Sequence, residues 1–152
     1  MFTTHFYKAL LIISAVLFLS ACTQDEEQIT LWPTNTHCNL HQQSCSIEKG
    51  DAQVTLNISP QPVPIARPLA IGVQLHKIKD VEKVELDIAG VNMYMGFNRI
   101  SLEQTSPTIY EGTSMLAFCT TKDMSWQVSV LIHLKNGEQI QVPYILKTSN
   151  KM

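Results

Sequence analysis

The chain is poor in the features that catalysis and nucleic-acid binding draw on. Only 16% of its 152 residues are charged and the formal net charge is −2. No basic stripe is present to neutralise phosphates, which argues against a nucleic-acid partner. There is no Gly-x-Ser-x-Gly elbow, no His-Glu-x-x-His, no phosphate-cradling glycine loop and no Cys-x-x-Cys pair, so no enzyme is expected. Carboxylates such as Glu85, Asp87, Glu103 and Glu111 fall on polar positions of alternating segments, where solvation is the ordinary explanation. Internal repeats and low-complexity blocks are missing too. The only long apolar run lies at the N terminus.

That run starts near Ala9, follows Lys8 and closes on Leu19-Ser20-Ala21-Cys22. A positive start, an apolar stretch of about a dozen residues and small residues before a cysteine read as a lipoprotein signal peptide over residues 1–21. A membrane-spanning helix would need about 20 apolar residues. Cys22 is then the lipidation site, its sulfur carrying an acyl-bearing group (palmitate being typical) that ties the protein to a membrane. Thr23 is not the aspartate that commonly retains lipoproteins at the inner membrane, which favours the outer membrane, facing the periplasm. Residues 22–36 are polar and acidic and read as a tether with a reach of roughly 20 Å. Leu31 and Trp32 either pack on the domain or dip into headgroups.

Beyond the signal, 131 residues suffice for one domain, expected over 37–152. Its hydrophobic period is two. Val54, Leu56 and Ile58 alternate with polar residues, and so do Leu69 to Leu75, Val84 to Ile88, Ile100 with Leu102, Tyr110 to Phe118, Trp126 to Leu134 and Ile140 to Leu146. Asn136-Gly137 marks a tight hairpin between the last two. About seven short strands without a helix predict an all-β, immunoglobulin-like β-sandwich.

With Cys22 lipidated, Cys38, Cys45 and Cys119 remain. In an oxidising compartment a pair closes. Cys38 with Cys45 is the nearest choice for a disulfide, contributing about 2.5 kcal/mol by loop entropy; a bridge from either to Cys119 is the alternative. A leftover Cys119 is either a buried hydrophobe or a soft metal ligand. The histidines read as solvated.

The sharpest chemical feature is Met93-Tyr94-Met95. If the strand of Val84, Leu86 and Ile88 continues in phase, Met93 and Met95 emerge on its polar face. Two thioethers at i and i+2 point the same way, and soft sulfurs select Cu(I). Met115, Cys119 and Met124 are further candidate ligands, Met115 and Cys119 sharing the face opposite Leu116 and Phe118. The competing expectation is packing: Gly90 can act as a bulge that reverses the phase, and methionines fill cores.

The run from Gly90 to Arg99, with Tyr110-Glu111-Gly112, Leu116-Ala117-Phe118-Cys119 and Met124-Ser125-Trp126, resembles a group of small proteobacterial envelope proteins. More distantly, residues 69–146 are similar to YtkA-like and FixH-type domains. That resemblance implies an extracytoplasmic immunoglobulin-like module associated with copper handling or oxidase assembly. Two departures stand out: FixH-type domains carry a transmembrane anchor, and Ser125 replaces their glycine before the tryptophan. The expected function is a lipid-anchored binding module that holds or delivers Cu(I). The alternative is a metal-free interaction module assisting assembly of an envelope or respiratory complex.

Overall fold

The computed structural model describes residues 28–149; the signal peptide and Cys22 lie outside the described residues. The described chain is all-β, with nine strands and no helix. They are β1 (Ile29–Leu31), β2 (Cys45–Lys49), β3 (Ala52–Ser59), β4 (Pro68–His76), β5 (Val81–Gly90), β6 (Phe97–Ser106), β7 (Ile109–Met115), β8 (Asp123–Leu134) and β9 (Gln139–Ser149). All form one curled sheet in the order β1-β9-β8-β5-β6-β7-β4-β3-β2. The expected seven strands are therefore nine, in one continuous sheet.

The continuity rests on β6. Its first half, through Leu102, pairs with β5, and its second half, from Glu103, pairs with β7. A register shift between Gln104 and Ser106 accompanies this change of partner. Gly112 of β7 makes the crossing possible, since a Cβ there would stand 2.7 Å from Leu102 Cδ2. Such a contact would force Leu102, which is buried, to move.

Alternation then builds the core. Val54, Leu56 and Ile58 from β3, Leu69, Ile71, Val73 and Leu75 from β4, and Val84, Leu86 and Ile88 from β5 are all buried in one cluster with Trp126, Val128, Val130 and Ile132 from β8. Tyr144 of β9 reaches across this cluster, its hydroxyl donating to the Val54 carbonyl of β3 at 2.7 Å. Burial pushes the phenol well above its ordinary pKa, so it stays a donor. Trp126 likewise satisfies its indole N–H on Thr148 Oγ1 at 2.9 Å. The Asn136-Gly137 turn closes as expected, with Leu134 and Glu138 bonded across it.

The two strands absent from the expectation sit at the two ends of the sheet. β1 pairs in parallel with β9, Ile29 opposite Gln139. Trp32 is buried while Leu31 is exposed. The tether expected over residues 22–36 thus gives way to ordered structure from Ile29, because Trp32 finds a place in the core and its N–H bonds the Gln141 carbonyl. The Asn35 side chain donates to the Ser46 carbonyl of β2 at 3.4 Å, bringing the two ends of the sheet together. Cys38 and Cys45 form a disulfide with Cα atoms 5.7 Å apart. His41, expected to be solvated, is a structural tie. Its Nδ1 accepts the Val63 N–H at 3.0 Å, and its Nε2 meets the Lys147 carbonyl at 2.6 Å, which assigns the neutral Nε2–H tautomer.

On the outer face of the sheet, His133 meets Glu85 at 2.8 Å and Lys83 stands 3.4 Å from the same carboxylate oxygen. Burial alone would raise the Glu85 pKa, but the hydrogen bonds and charges of His133 and Lys83 prevail and hold it below its ordinary 4.5. A depressed carboxylate stabilises the fold above its unfolded pKa and loses that contribution as pH falls through the folded value. Glu85→Gln should therefore lower the urea midpoint at neutral pH, with the gap to wild type narrowing below about pH 4.5. Tyr144→Phe should cost about 1 kcal/mol in the same assay, through the lost hydrogen bond to Val54.

Candidate functional site

The chemistry-bearing residues gather where β5 ends. Met93 and Met95 do not continue β5 in phase as expected. The strand stops at Gly90, and residues 91–96 turn back on themselves. An ideal Cβ on Gly90 would lie 2.1 Å from the Met93 carbonyl oxygen, so the turn passes over a position that only glycine can fill. Asn92 clamps the turn onto β8: its amide nitrogen donates to the Asp123 carbonyl at 2.9 Å and its amide oxygen accepts the Ser125 N–H at 3.0 Å. The Val91 N–H bonds the Ser125 carbonyl.

This turn separates the two thioethers. Met93 is half-exposed, whereas Met95 packs against the core. The partner Met93 gains is Cys119. Its Sγ lies 3.5 Å from Met93 Sδ, with the thiol as donor. Thr121 completes the group: its N–H donates to Cys119 Sγ at 3.4 Å, and its hydroxyl, 3.6 Å from Met93 Sδ, is shared between that sulfur and the Cys119 thiol. Hydrogen bonds from the Thr121 side chain and backbone lower the Cys119 pKa below its ordinary 9.0, against the opposing effect of burial. A buried thiol of raised acidity beside a thioether is the arrangement that deprotonates on meeting a soft cation.

The other candidates fall elsewhere. Met124 is buried in the core, its backbone paired with Thr148, and leaves the ligand set. Met115 ends β7 opposite Pro68 with its side chain exposed at the same end of the sheet. The face shared by Met115 and Cys119 does not persist. Leu116 is buried as expected, but Phe118 faces out and Cys119 in, because the alternation ends with β7 and the Leu116 carbonyl turns to bond the Ala66 N–H. Among the described residues no group of three or more His, Cys, Asp or Glu is placed to hold a metal ion. Thr121 was the residue missed by sequence reasoning; its position two residues after Cys119 was the available clue.

Comparison with protein-family models, with curated proteins and with solved structures returns no match, which leaves this site to be read from its own side chains.

Gly90→Ala should break the turn and separate Met93 from Cys119. The expected outcome is a folded protein whose Met93 methyl resonance shifts in NMR, whereas Gly72→Ala, whose added carbon meets only Asn57 Cβ at 3.9 Å, leaves it in place.

Proposed function

We propose that this protein binds Cu(I) through the thiolate of Cys119 and the thioether of Met93, as a binding module with no chemistry of its own. The observation that carries the reading is the 3.5 Å separation of the two sulfurs. With a soft metal–sulfur bond of about 2.3 Å the sulfurs stand about 3.8 Å apart in a tetrahedral site and about 4.6 Å apart in a linear two-coordinate one, so the pair has to open by about 0.3 to 1.1 Å to hold the ion. Thiolate takes Zn²⁺ and Cu(I) alike, and the thioether tips the pair toward the soft monovalent ion; neither suits Ca²⁺, which takes oxygen ligands. Met93 is half-exposed and gives the ion a route in, while Cys119 is buried behind it. The distant similarity of residues 69–146 to YtkA-like and FixH-type domains supports the same reading, as does the lipoprotein signal, which would place the domain outside the cytoplasm.

Binding exchanges the thiol proton for the ion, so affinity should climb about tenfold per pH unit below the Cys119 pKa and level off above it. Anaerobic competition against a Cu(I) chelator tests this. Wild type should take up one equivalent; Cys119→Ser and Met93→Leu should each lose at least about tenfold in affinity, or about 1.4 kcal/mol. Met124→Leu should change nothing. Thr121→Val should move the plateau to higher pH, because the hydroxyl bond that favours the thiolate is gone. Equal uptake by Cys119→Ser and wild type would overturn the assignment.

A further inference from the structure

Around the sulfur pair, Tyr94, Phe97 and Phe118 stand 78%, 75% and 67% exposed, with Val91 and Met115 also open to solvent. The Tyr94 and Phe97 rings meet edge to face, centroids 6.1 Å apart. Asn98 joins the two loops by donating to the Met115 carbonyl at 2.7 Å. Single exposed apolar residues are ordinary; five on two linked segments at one end of a sheet form a patch with a use. Neither residues 91–98 nor residues 112–121 contain an Asp, Glu, Lys or Arg. Exposed Arg99, Lys122 and Asp123 border the patch and leave it only about one net positive charge, a weak handle for a partner steered by charge. A bilayer interface has no need of one, since an amphipathic tyrosine settles at the headgroup level and phenylalanine rings bury at the headgroup–acyl boundary.

The sequence puts such an interface within reach. Six residues lie between Cys22 and Ile29, seven steps of chain that span at most about 25 Å. Ile29 lies opposite Gln139 at the start of β9, whereas the aromatic loops lie beyond Gly90, which pairs with Trp126 near the far end of β8 and β9. Trp126 faces Leu146, and the seven strand steps from Gln139 to Leu146 put these ends about 24 Å apart. A chain held at Cys22 would have to stretch its leash, whose average reach is only about 15 Å, to full extension to stand inverted on its membrane, whereas with the strand axis along the surface both ends touch it.

We propose that the Tyr94, Phe97 and Phe118 end is a membrane-contact site, which inserts its rings into the headgroup region of an uncharged lipid surface and lays the domain on its side. The assignment rests on the lipoprotein reading of Cys22 for its bilayer and is independent of metal binding. The test uses the full chain reconstituted into phosphatidylcholine vesicles whose acyl chains carry bromine. Tyr94→Trp supplies the reporter, with the parent protein as the correction for buried Trp32 and Trp126. Its emission should shift to the blue and be quenched by the brominated lipid, equally at low and high salt, and the added changes Phe97→Ser and Phe118→Ser should abolish both effects. Phe118→Ser alone, outside every strand, gives a reduced response should the multiple variant fail to fold. An unquenched reporter would overturn the proposal, as would quenching that vanishes at high salt. A blue shift without quenching that grows with protein concentration would assign the patch to self-association and overturn it equally. Cu(I) uptake in detergent, measured on the same variants, should be unchanged, separating this site from the sulfur pair.

Discussion

The change of partner along β6 is the constraint on which the rest of the molecule depends. One half of the strand belongs to β5 and the other to β7, so what would have been two separate sheets is a single curled one. The curl brings β3 and β9 face to face and lets Tyr144 reach Val54. It also sets the loop after β5 beside the segment after β7, since both lie at the end where β6 begins. Met93 and Cys119 are 26 residues apart in sequence, and this crossing makes them neighbours. Gly112 is the local condition for it, because the space its missing Cβ leaves is taken by Leu102.

The first two described strands are held differently. Residues 29–49 hold two short strands, too short for their own ladders to keep them in place. They are secured from outside by a disulfide, by Trp32 entering the core, and by His41, whose ring bonds two other segments at once. Each of these ties costs little chain and fixes much of it, which is how a small domain orders a polar segment.

The seven longer strands were legible because a half-buried strand writes its period into the sequence, and from Val54 to Leu146 that period names the buried residues. β1 and β2 were not legible: three residues in an acidic stretch and five beside a cysteine carry too little alternation. The site was legible in its residue types and not in its geometry. Extending the β5 period through Gly90 paired Met93 with Met95, but a period holds only while the strand does, and the turn over Gly90 pointed them apart. The same error exchanged Phe118 and Cys119 after β7. Sulfur chemistry could be read from composition, whereas the identity of the two sulfurs that meet depended on a close backbone approach that no periodicity records.

The meeting of the sheet's two ends at Asn35 and Ser46 bears on how such a protein survives at high concentration. An open β-sheet offers its outermost strands as templates on which further copies can polymerise. Here those strands are only three and five residues long, and the side chain of Asn35 already occupies a carbonyl on the longer one. Fibril growth by strand addition is denied a starting row, which leaves the apolar loops free to stay uncovered without the molecule becoming self-adhesive along its seams.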